Sequence, residues 1–442
     1  MSRVSDAGPD FPAEPGAAAS AAAGSRGPSD PQGGATTKAS RHGVVFVLVT
    51  VFLDMVGYGL IIPVLPALIR EVGGLDIGRA AAMAGWMFAA FSVAHFLCAP
   101  LAGNLSDRFG RRPLLLLAIF GLGVDFLISA WAPTLFWLFV GRILTGVCGA
   151  SWVIANAYIA DVTAPEERAR AFGLMGAAFG LGFVIGPGIG GLLGEFGPRV
   201  PFLAAAAISL LNFGYGWFVL RESLAPEKRR PFEWRRANPF GAFRVFRSYP
   251  GVLPMCLVLG LFFFSSSVYQ AVWTFWGIAK FGWSEGMVGL TLTVFGLVMA
   301  GFQGGLTGLF TRRLGEHRTI LVGLVCAIVA AFGYGFAGGV VMVFALMVVH
   351  GPEGFVHPLL SAAMTRRVPE DAQGELQGGI SAIMSVAMLA GTLAFSQTFD
   401  FFWNTARGQP SPDVAYWLAG ACLSATLLLY LRLARRDGGS GK

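Results

Sequence analysis

Charge is scarce in this sequence. Asp, Glu, Lys and Arg together make up 13% of its 442 residues, about half the ~25% usual in soluble domains. So small a charged fraction excludes a chain whose whole surface faces water. Cysteine is sparse too. Cys98, Cys148, Cys256, Cys326 and Cys422 stand singly, with no CxxC or metal-ligand spacing, so they read as small apolar packing residues. No GxxxxGK[ST] occurs, which removes the phosphate cradle that an ATP-driven pump needs. No nucleophile–base constellation stands out for an embedded enzyme. A receptor or scaffold would be expected to carry a folded soluble domain, and none is legible. The first 42 residues are mostly Ala, Gly, Pro and Ser without the apolar core of a signal peptide, which predicts a disordered tail and a first span serving as an uncleaved targeting signal.

What is abundant is apolar sequence in long runs. Hydrophobic residues make up 55% of the chain. From about residue 43 onward they fall into twelve stretches: 44–69, 82–102, 113–132, 135–159, 171–194, 200–220, 251–278, 286–310, 319–337, 340–364, 375–402 and 413–432. Each is close to the ~20 residues that cross ~30 Å of hydrocarbon. The expectation is an all-α polytopic membrane protein.

The formal charge of +7 need not signal nucleic acid, because its distribution follows the loops. Of the 32 Lys and Arg, one set of alternate loops holds only Arg70, Arg79, Arg199, Lys280 and Arg407, and Arg142 lies inside a span. The rest fall on the other loops, on residues 221–250 and on the two tails. By the positive-inside rule these are cytoplasmic, as are both termini.

Residues 221–250 divide the spans six and six, giving a half at 43–220, a linker at 221–250, a second half at 251–433 and a polar tail at 434–442. Internal repetition supports the division. "GNLSDRFGRR" from Gly103 and "GLFTRRLGEH" from Gly308 occupy equivalent loops, as do "APEERARAFG" and "VPEDAQGELQ". Two six-helix halves with substrate between them is a transporter plan.

The loop "GNLSDRFGRRP" resembles the signature of the major facilitator superfamily between its second and third helices. Gly103 and Gly110 permit tight turns, Asp107 can cap a helix N-terminus, and Arg108, Arg111 and Arg112 suit the cytoplasmic face. The resemblance implies a gate latch in which the Arg meets an acid ending the fourth helix, here Asp161. The plainer alternative is that these charges only set topology. In the second copy Arg312 replaces Asp107, so a weaker latch is expected there. In the fifth span, "GLGFVIGPGIGGLLG" carries Gly182, Gly186, Pro187, Gly190, Gly191 and Gly194; it resembles the family's antiporter motif, and small-residue packing explains it equally.

More closely, "LDMVGYGLIIPVLPALIREV", "GRILTG", "FGLMGAAFGLGFVIGPGIGG" and "FGWSEGMVG" resemble the tetracycline-efflux branch of drug:proton antiporters. That resemblance implies proton-coupled efflux of a lipophilic drug-like compound by alternating access, driven by the proton gradient with no cofactor and no metal. It implies a multi-pass protein of the inner membrane, not an enzyme, with a small-molecule substrate, a lipid environment and a monomeric state. Transport of an endogenous metabolite is the alternative within the fold, since fold does not set substrate; a non-transporting membrane receptor or scaffold is the alternative outside it.

Within this frame the embedded charges become candidates. A carboxylate at mid-membrane costs roughly 2.5–3.5 kcal/mol on insertion scales. The resemblance gives Asp54 and Asp125 a coupling role and makes Arg142 their charge partner; buried pairing that only packs helices is the alternative. The relatives' titratable His and Asp of the eighth and ninth helices correspond here to Met299 and Ala327. The tenth span instead offers His350, Glu353 and His357, which fall within a ~60° arc of an ideal helix. A proton or substrate site, structural pairing and a metal site are the open readings, and Pro352 and Pro358 disturb the helix. Candidate substrate contacts are Tyr58, His95, Gln270, Trp273, Gln303 and His357. Tyr269, Trp273 and Trp276 form a stripe that would pack against neighbours, face lipid or wall a cavity.

Overall fold

The computed structural model describes residues 33–149, 151–233, 249, 251–369, 372–404 and 410–439, with no strand among them. By their contacts, residues 1–39 and 40–442 separate into two units. Of the first, only a helical stretch from Gly33 is described; the second carries all twelve membrane-length helices. These are α1 Gly43–Ile61, α2 Ile77–Phe109, α3 Arg111–Ala130, α4 Leu135–Val162, α5 Pro165–Gly194, α6 Val200–Val219, α7 Leu253–Phe281, α8 Glu285–Leu314, α9 Glu316–Phe336, α10 Val340–Thr365, α11 Gln373–Asn404 and α12 Val414–Arg435.

Two boundaries differ from expectation. Helix begins at Gly33, inside the stretch read as a disordered tail, because adding turns to a formed helix is easier than nucleating one. At the other end helix runs to Gly439, through most of the expected polar tail. The sixth helix ends at Val219, and Leu220 and Leu224 just beyond it are buried. Arg407 and most of the 221–250 stretch lie outside the described residues.

Local signals account for the helix ends. Asp76 caps α2, its carboxylate accepting from the amides of Gly78 (2.9 Å) and Arg79 (3.1 Å). Ser284 caps α8 through the Met287 amide at 3.3 Å. Gly110 (φ +106°) and Gly315 (φ +81°) turn the chain between α2 and α3 and between α8 and α9, a conformation that side chains with a Cβ resist.

The halves are joined chiefly by α2 with α11 and α5 with α8, and more lightly by α2 with α7. Among the described residues, the hydrogen bonds across this seam lie at the end opposite the basic loops. Asn404 donates to Asp76 at 3.0 Å and Gln397 to the Ala82 carbonyl at 3.2 Å. The Gly286 amide donates to Glu195 at 2.9 Å and Thr293 to the Val184 carbonyl at 3.0 Å. Both carboxyls sit below their usual range. Slight burial pushes Asp76 up, but bonds from Asn404 and the Arg79 and Gly78 amides outweigh it. The Ser284 hydroxyl and then the Gly286 amide lower Glu195.

The fifth-span glycines serve two faces. On Gly186, an added Cβ would stand 2.8 Å from both the Gly59 Cα and the Val56 carbonyl oxygen, so α5 touches α1 backbone to backbone. On Gly191, it would stand 3.0 Å from the Gly289 Cα of α8, across the seam. Gly186→Ala is therefore expected to destabilise the purified protein by about 1–3 kcal/mol, the usual range for forcing atoms into a packed site. Gly180, with nothing within 4 Å of such a Cβ, is the control. Equal thermal shifts for Gly180→Ala and Gly186→Ala would refute the close-approach account.

Candidate functional site

In the first half, two buried carboxylates have different company. Asp54 on α1 is 4% exposed, accepts from the Ser151 hydroxyl of α4 at 3.1 Å, and makes no ion pair among the described residues. It opens on a small cavity with Thr50, Tyr58, Gly149, Ser151 and Trp152. Asp125 on α3 is wholly buried. Arg142 of α4 pairs with it at 3.2 Å, Ser129 donates at 3.4 Å, and Thr145 makes a short bond to the same oxygen as Arg142. One turn beyond Asp54, Tyr58 faces His95 of α2 across Gly149: an added Cβ there would stand 3.2 Å from the phenol oxygen and 3.3 Å from Nδ1 of His95. That nitrogen is buried with no hydrogen-bond partner among the described residues, and its ring stacks on Phe91.

In the second half, α10 is interrupted. Gly351–Phe355 is a 3-10 turn, and opposite it α8 carries a π-helical turn at Gly301–Leu306. Such irregular turns within membrane helices occur where they line protein or cavities. On Gly354, an added Cβ would lie 3.4 Å from the Met299 thioether methyl and 3.5 Å from the Gln303 Cβ. His350 and Glu353 are both buried, and Nε2 of the ring meets the Glu353 carboxylate. Ser266 of α7 donates to the other carboxylate oxygen at 2.6 Å. The His350 ring is walled by Tyr269 and Phe295, with centroids 4.4 and 4.9 Å away.

Two candidates stand elsewhere than expected. His357 does not join its neighbours: the 3-10 turn alters the register that places all three on one ideal arc, and its ring packs edge-on to Phe263 of α7. Trp273 and Trp276 are buried in the second-half core, where Trp273 donates to Thr291 at 3.1 Å and Trp276 to Asp413 at 2.7 Å. They pack against neighbours. Gln270 and Gln303 are exposed. Among the described residues no group of three or more His, Cys, Asp or Glu is placed to hold a metal ion.

At the basic-loop end, Arg111 meets Asp161 at 3.1 Å and Asp107 at 2.6 Å, while Arg108 is exposed over Phe109. Contrary to expectation, Asp107 lies in the last turn of α2 and not at a helix N-terminus, and Gly103 lies within the same helix and not in a turn. Gly103 packs 3.6 Å, by its notional Cβ, from Val153. Sequence reasoning missed Glu222, which reaches back to accept from the Arg111 amide at 2.8 Å and so caps α3. It also missed the second half's counterpart. Glu316 pairs with Arg366 at the matching helix ends, the same bridge with its charges exchanged. Lys280, assigned to an outer loop, is mostly buried and pairs with Asp413 at 2.7 Å. A Lys following an aromatic stripe was the available signal.

A family model described as Major Facilitator Superfamily matches residues 47–392. The chain is 39% identical over 393 residues to the tetracycline resistance protein, class C, of Escherichia coli, covering 89% of this chain and 97% of that protein. It is 31% identical over 292 residues to multidrug resistance protein 2 of Bacillus subtilis (strain 168), covering 65% and 71%. Among solved structures, the human organic anion transporter MFSD10 (TETRAN) aligns with a TM-score of 0.63 at 24% identity, over 88% of this chain and 99% of its own, a likeness that bears on the fold. With a family match across most of its spans and a relative of this similarity over nearly its whole length, the chain belongs to the Major Facilitator Superfamily and resembles its tetracycline-efflux members.

Proposed function

We propose that the protein exports a lipophilic compound, tetracycline-class or related, in exchange for protons by alternating access between its halves. The observation that carries this reading is a buried titratable group in each half. Asp54 lies beside a cavity with only a neutral hydrogen bond among the described residues, and Glu353 with His350 lies at facing irregular turns of α8 and α10. A group that must gain and lose a proton within the membrane needs such a site, since burial and charge partners set its protonation. The cross-seam bonds close the end opposite the basic loops, which under the positive-inside rule is a cytoplasm-facing state with both termini inside. The protein works as a monomer in this reading and spends no nucleotide.

Similarity to tetracycline resistance proteins supports the drug class. Met299 and Ala327, in place of the relatives' titratable residues, favour a related substrate over tetracycline itself. Ala327 is fully buried and Met299 lies against the Glu353 turn, so the polar chemistry of this half has moved to α10. The test is proton release from energised inverted vesicles, followed by dye quenching against a compound panel. Glu353→Gln and His350→Ala are each expected to change the pH profile of transport, and the double variant to lose less than the sum, because groups in contact share one interaction worth about 0.5–3 kcal/mol. Wild-type pH profiles for both single variants at normal abundance would make the pair structural. An endogenous metabolite as substrate would show as proton exchange that no drug in the panel elicits.

A further inference from the structure

The internal repeat exposes a site that one half fills and the other leaves open. At the offset of 205 residues that relates the two signature loops, Gly110 corresponds to Gly315, Arg111 to Glu316, Asp161 to Arg366 and Tyr158 to Ala363. In the first half the base of the α1, α3, α4 and α6 bundle is closed. Tyr158 is buried with its hydroxyl donating to the Arg221 carbonyl at 3.0 Å. The chain after α6 turns back, burying Leu220 and Leu224 and placing the Glu222 carboxylate on the α3 amides. An anion with an apolar attachment occupies that base.

Among the described residues the second half has neither plug. Ala363 stands where Tyr158 does, and α12 continues as helix to Gly439 instead of turning back. The N-cap of α9 is Gly315, which has no side chain to offer, and among the described residues no carboxylate plays the part that Glu222 plays at α3. The result is a cavity of about 310 Å³ with apolar walls from Met255, Val258, Ile320 and Leu433, and with His317 and Arg367 at its polar side. Arg367 is exposed and donates to the Gly251 carbonyl at 3.2 Å. Exposed Arg318, Arg432 and Arg435 stand on the same helix ends. The lining acid, Glu316, is bound to Arg366, and Tyr430 is tied to His317 Nδ1 at 2.9 Å.

We propose that this pocket, at the basic-loop ends of α7, α9, α10 and α12, binds an anionic phospholipid from the adjoining leaflet. Its phosphate takes the place that Glu222 holds in the first half, and an acyl segment takes the place of the Tyr158 ring and Leu224. The cavity matches small-ligand sites in size, and clustered Arg beside a membrane surface favours anionic headgroups.

The full chain, purified in a neutral detergent, is titrated with phosphatidylglycerol, phosphatidylcholine or inorganic phosphate while bound lipid is counted by native mass spectrometry and thermal unfolding is followed. Phosphatidylglycerol is expected to bind and raise the unfolding temperature, and the other two are not. Ala363→Tyr, which supplies the missing ring, is expected to abolish the preference. Arg367→Gln is expected to weaken it about tenfold, the factor set by losing one charge-assisted bond. Equal effects of phosphatidylcholine, or of phosphate alone, would overturn a phospholipid site. An unchanged preference in Arg367→Gln would overturn its location, and that variant decides the matter if Ala363→Tyr fails to fold.

Discussion

Asp54→Asn is expected to reduce proton-coupled exchange to the level of vesicles without the protein, while its abundance in the membrane stays near wild type. The two halves of that result have separate reasons. Asn keeps the volume of the side chain and an acceptor for the Ser151 hydroxyl, which is the only hydrogen bond the carboxylate makes among the described residues. Among the described residues no cation balances the carboxylate, so neutralising it leaves no charge stranded, and it removes a group that costs roughly 2.5–3.5 kcal/mol in a membrane helix. What is lost is the ability to exchange a proton beside the cavity that Thr50, Tyr58 and Trp152 share with it. The measurement is dye-monitored antiport in inverted vesicles, normalised to protein by immunoblot. Undiminished transport by Asp54→Asn would remove this residue from the coupling scheme.

The largest expected loss of stability comes from the other embedded acid. Arg142→Leu strands the Asp125 carboxylate in a wholly buried position, and breaking a buried pair from one side costs about 3–5 kcal/mol. Thr145 and Ser129 remain as donors, but neutral hydroxyls do not replace a guanidinium. Adding Asp125→Asn to Arg142→Leu is expected to restore most of the loss, because the unpaired charge is gone. Thermal unfolding of the purified variants reads both outcomes. A single Arg142→Leu variant as stable as wild type would show that the contact is not a working ion pair. The two acids differ in their company: Asp125 is held by a cation and two hydroxyls, Asp54 by a single serine.

Several site residues are legible in the sequence because the membrane makes them conspicuous. Asp54, Asp125, Arg142 and Glu353 stand out against apolar runs, and a charged residue there needs a reason. Their partners are not legible. Ser151 lies 97 positions from Asp54 and Ser266 lies 87 from Glu353, and a serine in a membrane helix is too common to mark itself. His357 misleads for a related reason. An ideal-helix arc does not hold for a segment whose Gly351, Pro352 and Gly354 break the ideal, so two of three expected neighbours meet and the third packs on Phe263.

Length and hydropathy gave twelve spans, the basic loops gave an orientation to test, and the 205-residue offset gave two halves, because each of these is a property of local sequence. The tertiary structure alone decided which groups meet. It brought Glu222 back under α3, paired Arg111 with Asp161 and Glu316 with Arg366, and left a cavity under the second half where the first is plugged. Those outcomes depend on where α6 and α12 end and on how six helices close around a base. Contacts of that kind join residues far apart in the chain, and no periodicity along the chain records them.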